Sequence, residues 1–142
     1  SADIQEIRKR DGNPFLNRVT NGRFIPGSIV KPFVAVQALA EDVISPLTNI
    51  VSDGTLEVQN PYDEEDETVF YDWKAHGPVD MREALAVSSN IYFYVIGGGY
   101  KDQDGLGITK LSEGLRQFGF GSETGISLER DADGQVPDPA WK

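Results

Sequence analysis

Pro26-Gly27-Ser28-Ile29-Val30-Lys31-Pro32-Phe33 runs directly into Val34-Ala35-Val36-Gln37-Ala38-Leu39-Ala40. Over residues 28–40, Ile29, Phe33, Val36 and Ala40 form one stripe at helical spacing, with Val30, Val34 and Ala38 beside it. A helix that is apolar on nearly all sides belongs inside a protein, so this stretch predicts a buried central helix. Pro26 and Gly27 let the chain turn sharply into it. Pro32 lacks an N–H and its ring crowds the carbonyl four residues earlier, which predicts a loosened first turn around Ser28. Ser45-Pro46 ends the region.

Working outward, residues 1–10 alternate charge with Ile4 and Ile7 and predict a short helix, and Asp11-Gly12-Asn13-Pro14 is turn chemistry. Downstream, Leu56-Glu57-Val58 and Thr68-Val69-Phe70-Tyr71 flank Asn60-Pro61-Tyr62 and the run Asp63-Glu64-Glu65-Asp66-Glu67, which predicts a small hairpin with an exposed acidic tip. Asp80 with Glu83 three residues on is a capping-box start for a second helix, with Met81, Ala84, Leu85 and Val87 facing inward. Ser88-Ser89-Asn90 interrupts it, and an apolar helix over 91–96 stops at Gly97-Gly98-Gly99. A last helix over 109–118 would face Ile108, Leu111, Leu115 and Phe118 inward, with Gly119 as its cap. The expected fold is mainly α with a small β-hairpin, in one domain spanning 1–142, with no internal repeat and no dividing linker.

The chain has 142 residues, 39% of them hydrophobic, enough to bury a core. Its 23 acidic and 13 basic side chains give a net charge of -10, which repels nucleic acid and anionic headgroups and predicts no nucleic-acid partner. Cysteine is absent, which removes disulfides, thiolate chemistry and Cys-ligated zinc. No apolar run approaches the roughly 20 residues that span a bilayer, and Ser1-Ala2-Asp3 shows no signal-peptide pattern. Any tether of an exported protein would lie outside this sequence.

Ser28 and Lys31 stand three apart at the start of the buried helix, so their side chains share a face, roughly 5–6 Å apart at Cβ. They can hydrogen-bond. Free N–H groups and the positive dipole end of the first turn favour a developing oxyanion at Ser28. An amine among Ile29, Val30, Phe33 and Val34 is penalised when charged, so Lys31 is expected to have a lowered pKa suited to a general base. The plainer alternative is a capping serine and a lysine that snorkels to solvent; a Ser-x-x-Lys string alone does not decide between them. No metal or cofactor is implied by these residues.

Context adds weight. Asn13-Pro14-Phe15-Leu16-Asn17-Arg18 followed by Pro26-Gly27-Ser28-Ile29-Val30-Lys31-Pro32-Phe33 resembles the approach to the active serine in penicillin-binding proteins, most closely the class B, monofunctional D,D-transpeptidases. The resemblance continues through Asp72-Trp73-Lys74-Ala75-His76-Gly77, through Glu83-Ala84-Leu85-Ala86-Val87-Ser88-Ser89-Asn90-Ile91-Tyr92-Phe93-Tyr94, and on to Thr124-Gly125-Ile126. It covers roughly residues 13–130, and Ser88-Ser89-Asn90 looks like the family's Ser-x-Asn motif. It implies Ser28 as the nucleophile acylated by a D-Ala-D-Ala stem peptide of peptidoglycan or by a β-lactam, Lys31 as the group taking its proton, Ser88 as proton relay and Asn90 as ligand of the acyl-side amide. It also implies other cell-wall synthesis proteins as partners, and a parent protein at the extracytoplasmic face of the bacterial inner membrane. A β-lactam sensor or non-catalytic binding module of the same fold is the alternative; a serine β-lactamase is disfavoured, since no deacylation base is recognisable.

The family's third motif, Lys-Thr/Ser-Gly, occurs nowhere in the 142 residues. The resemblance therefore implies the helical lobe of the α+β D,D-transpeptidase and serine β-lactamase-like fold, lacking most of its central antiparallel sheet. Weak or no catalysis by this polypeptide alone is expected, together with self-association through apolar surface that a sheet would cover. The run 63–67 lacks the alternating ligands and glycine of a calcium loop, so a solvated tip is favoured over a cation site. His76, the single histidine, is expected to be a structural turn residue. Tyr92, Phe93 and Tyr94 are expected to be core and cleft wall.

Overall fold

Small and aliphatic side chains let three helices close on one another at the centre of the molecule. The computed structural model describes residues 2–60, 63–128 and 131–141. Helix α1 spans Ala2–Arg8, and the unforeseen single turn α2 spans Arg18–Asn21, capped by Asn17. A 3-10 turn at Gly27–Val30 leads into α3, Lys31–Ala40, so the start of the central helix is loosened where Pro32 predicts it. The remaining helices are α4 (Met81–Ala86), α5 (Asn90–Gly98) and α6 (Gly107–Gln117). α3, α5 and α6 pack mutually around Val34, Ala35, Ala38, Tyr92, Phe93, Ile96 and Leu106.

The buried face of α3 is not the expected stripe. Lys31, Val34, Ala35 and Ala38 point inward at helical spacing, whereas Ile29, Val36 and Ala40 are exposed and Phe33 is half-buried. Both faces are apolar, so hydropathy alone does not choose between them. Small residues at 35 and 38 permit close helix approach, and Gln37 docks on α6, where a Cβ at Gly114 would collide with it. That contact also revises α6. Its buried positions are Ser112 and Gly114, while Leu111 and Leu115 are half-buried and Ile108 and Phe118 exposed. Phe118 still meets Phe33 edge-on, with ring centroids 5.1 Å apart. Gly119 caps α6 as expected: its φ is +89°, its N–H reaches Arg116 O, and Phe120 N–H reaches Leu115 O, a Schellman closure.

Strand β1 (Ile50–Ser52) pairs antiparallel with β4 (Gly77–Val79), and β2 (Thr55–Asn60) with β3 (Asp63–Tyr71). The hairpin is the expected one, with Leu56 opposite Phe70. Its acidic residues belong to strand β3 rather than to the tip. Pro61 and Tyr62 lie outside the described residues, as do the side chains of 63–66; Glu67 is exposed. The β1–β4 pair sets Ile50 opposite Val79, and Asp80 then caps α4 with a complete box: Glu83 N–H donates to Asp80 Oδ1 and Asp80 N–H to Glu83 Oε2.

Candidate active site

The site forms where α4 ends and α5 begins. α4 closes with Ser89 N–H on Ala84 O and Ser88 N–H on Leu85 O, again a Schellman pattern. The left-handed position of that motif usually takes glycine, but here it holds Ser88 at φ +55°, a conformation costing roughly 1–2 kcal/mol in an L-residue. Ser89 then caps α5, its Oγ accepting from Tyr92 N–H. The helix break thus places a hydroxyl where none is structurally needed.

Lys31, at the start of α3, is 8% exposed. Its Nζ donates to Ser88 O at 2.7 Å, Asn90 Oδ1 at 2.8 Å and Ser88 Oγ at 3.2 Å, so each ammonium hydrogen has an acceptor. The Phe93 ring centroid lies 5.5 Å from Nζ. Burial lowers the Lys31 pKa below the ordinary lysine value, and the negative charge of Asp72 partly opposes that shift. The snorkelling alternative is thereby excluded.

Ser28 is exposed on the 3-10 turn and lines, with Lys31, Asn90, Phe93, Tyr94 and Gly97, a cavity of about 330 Å³. All four motif residues therefore gather: three line the cavity, and Ser88 is joined to Lys31. The expected Ser28–Lys31 hydrogen bond is not made. Lys31 directs its donors to residues 88 and 90, and Ser28 Oγ has no hydrogen bond among the described residues. A wider concavity of about 670 Å³ between the hairpin and residues 98–105 contains none of these groups. Phe93 is buried core and Tyr94 half-open cavity wall, as anticipated.

Sequence reasoning missed the group behind the motif. The Asp72 side chain is 0% exposed, and its Oδ2 accepts from Asn90 N–H and Ser89 Oγ, both at 2.8 Å, Ser52 Oγ at 3.0 Å and Ile91 N–H at 3.1 Å. Oδ1 accepts from Trp73 N–H at 2.9 Å. Burial opposes ionisation, but the donors at Asn90, Ile91, Ser89 and Trp73 outweigh it and hold the carboxyl at a pKa of about 2. His76 is more than a turn residue: its side chain is buried against Trp73, its Nε2 has no hydrogen-bond partner, and it lies 3.8 Å from Asp72 Oδ1. The family resemblance runs through Asp72-Trp73-Lys74-Ala75-His76-Gly77 but assigned Asp72 no role, and the end of a strand run at Tyr71 is the other mark of the place in sequence. Among the described residues no cluster of His, Cys, Asp or Glu could hold a metal ion.

A helical lobe with a small hairpin, and a buried lysine bridging a helix start to a serine–asparagine helix break, define the class. The chain belongs to the penicillin-binding protein transpeptidase domain family, whose description, Penicillin binding protein transpeptidase domain, matches residues 2–142. Peptidoglycan D,D-transpeptidase MrdA of Haemophilus influenzae is 35% identical over 144 aligned positions, covering 100% of this chain and 20% of that protein. MrdA of Escherichia coli K12 is 33% identical over 144 positions, with 100% and 21% covered. The penicillin-binding protein PBP2 of Helicobacter pylori, solved in complex with MreC, superposes with a TM-score of 0.83 at 34% identity over 100% of this chain and 24% of that one. The chain thus spans about a fifth of the length of the curated relatives it matches.

Proposed function

We propose that this chain is the part of a peptidoglycan D,D-transpeptidase that carries the nucleophile and its proton-transfer partners. The observation that carries this reading is the Lys31 amine, buried and held by Ser88 and Asn90 across 57 and 59 residues of sequence. In this mechanism Lys31 is neutral before acylation, keeps two of its three hydrogen bonds and turns its lone pair to Ser28 Oγ. Ser28 attacks the carbonyl of the penultimate D-alanine of a stem peptide, and its proton passes to Nζ. As the C–N bond breaks, the proton reaches the departing D-alanine amine through Ser88 Oγ. The amine of a second stem peptide then attacks the ester, its proton returns along the same route to Ser28 Oγ, and the cross-link is released. The Ser28 N–H supplies one oxyanion donor, and Asn90 binds the acyl-side amide. β-Lactams acylate Ser28 by the same attack.

Relatives' names support the reaction, and the structure of a relative with MreC supports cell-wall partners. We place the parent protein on the extracytoplasmic side of the membrane; among the described residues no helix is long and apolar enough to cross a bilayer. The exposed side chains of Phe24, Ile25 and Ile29, beside Ser28, are the proposed surface for self-association. A fluorescent penicillin is expected to label the full-length protein covalently, to lose that label in Ser28→Ala, and to label the isolated chain weakly for want of a Lys-Thr/Ser-Gly string. Equal labelling of Ser28→Ala overturns the assignment.

A further inference from the structure

We propose that Asp72 is the positioning residue that fixes Ser88 and Asn90 against the Lys31 amine; this rests on the roles assigned to Ser28 and Lys31 above. Three consecutive residues next to Ser88 are tied to one carboxylate oxygen: Ser89 by its hydroxyl at 2.8 Å, and Asn90 and Ile91 by their N–H groups at 2.8 and 3.1 Å. A fourth donor, Ser52 Oγ at 3.0 Å, ties that oxygen to the end of β1. Ser52 Oγ also accepts from Ser89 Oγ at 3.1 Å, which leaves that hydroxyl little room for drift.

The left-handed conformation of Ser88 is uphill for serine and persists only where the neighbours on both sides over-determine it. On the N-terminal side the α4 closure does this, and on the C-terminal side Asp72 does. With both sides fixed, Ser88 O and Oγ and Asn90 Oδ1 converge on one amine. Asp72 also acts at a distance, because its charge favours the protonated amine of Lys31. An anchor of geometry and a regulator of the base are therefore one side chain. One of its neighbours reinforces this: Trp73, whose N–H is bonded to Oδ1, donates its indole N–H to Val87 O at 3.0 Å, just before the left-handed residue.

The test is Asp72→Asn in the full-length protein, read by the second-order rate of acylation with a fluorescent penicillin across pH. A carboxamide keeps the volume but offers one acceptor oxygen and adds two donors among donors. The acylation rate is expected to fall ~10- to 100-fold, the cost of a small misplacement of reacting groups, with Ser28 still the labelled residue. The acidic limb of the pH–rate profile should move to lower pH, because Lys31 loses the negative neighbour that raises its pKa. A merely structural Asp72 would lower the yield of active protein without moving that limb. A rate within twofold of wild type, or an unmoved limb, overturns the proposal. If Asp72→Asn does not fold, Ser89→Ala decides: it removes one tie and keeps the carboxylate, so the rate should fall severalfold with the limb unmoved, and an unchanged rate overturns the proposal. Loss of label in Ser28→Ala with normal rates in both other variants sinks the role of Asp72 alone; labelling of Ser28→Ala sinks the transpeptidase reading itself.

Discussion

Lys31 and Ser28 are three residues apart and inhabit opposite surroundings. Lys31 is 8% exposed with every donor engaged, whereas Ser28 sits on an open turn with Ile25 at 95% and Ile29 at 72% exposure on either side. The change of helix type between them explains the difference: the 3-10 turn at Gly27–Val30 stays at the surface, and α3 begins at Lys31 and dives inward. In the proposed mechanism, the group that handles the proton is thus buried and fully hydrogen-bonded, while the group that attacks stands open at the surface. Pre-organisation would then be concentrated on Lys31, where a displaced charge is most costly.

The comparison is broken most severely by Lys31→Ala. General-base loss alone is worth ~10²- to 10⁴-fold in acylation. Ser88 O and Asn90 Oδ1 also lose their donor, which costs about 1–3 kcal/mol of stability. Ser28→Ala, in contrast, removes an exposed hydroxyl and should leave stability within about 0.5 kcal/mol. Two inactive variants with different urea midpoints are therefore expected. Acylation rates measured against pH should also lose their Lys31-dependent limb in Lys31→Ala; equal rates in variant and wild type end the base assignment.

A smaller effect sharpens the same contrast through acid. Asp72 has a carboxyl pKa depressed from 3.8 to about 2, so its folded state binds a proton less readily than the unfolded chain. The stability this gives is complete above the unfolded value and is lost as pH falls through the range from about 4 to about 2. It amounts to roughly 2 kcal/mol. Asp131, held low by the Thr124 side chain, and Asp138, held low by Arg116, are only half-buried at the surface, and screening leaves them little weight. Urea midpoints followed from pH 6 to pH 2 should drop in the wild type and drop less in Asp72→Asn. Parallel curves would show that the buried carboxylate carries no linkage.

Local chemistry explains which features were legible in the sequence. The Asp80–Glu83 box, the Gly119 closure and the two Ser-containing motifs each depend on residues within a few positions of one another, the 55–71 hairpin announces itself by two β-prone runs flanking turn residues, and each is present. The β1–β4 pair was invisible because its strands are three residues long and its partners lie far apart in sequence, Ile50 standing opposite Val79, 29 residues on. The inward face of α3 was misread because apolar residues surround the helix, and the deciding member, Lys31, counts as polar on any hydropathy scale. Asp72 escaped because its partners lie 17 to 20 residues away on both sides, at Ser52, Ser89, Asn90 and Ile91. A carboxylate before Trp73 looks like any surface acid until topology surrounds it with donors.

The smallest expected effect on stability tests the open half directly. Ile25→Ser changes one of the most exposed apolar side chains in the molecule, so its unfolding free energy should move by no more than about 0.5 kcal/mol. Its association should change more. Ile25 lies with Phe24 and Val30 around a cavity of about 560 Å³ that the segment carrying Gly134 and Val136 closes on the far side, so this apolar surface is continuous with the Ser28 turn rather than scattered. Contiguous apolar surface finds a partner, and in a pure sample the available partner is another copy. Light scattering across a concentration series should show a smaller mean mass for Ile25→Ser than for the wild type. Identical masses would mean that the surface beside Ser28 is exposed without being adhesive, and the difference between Ser28 and Lys31 would then be one of burial alone.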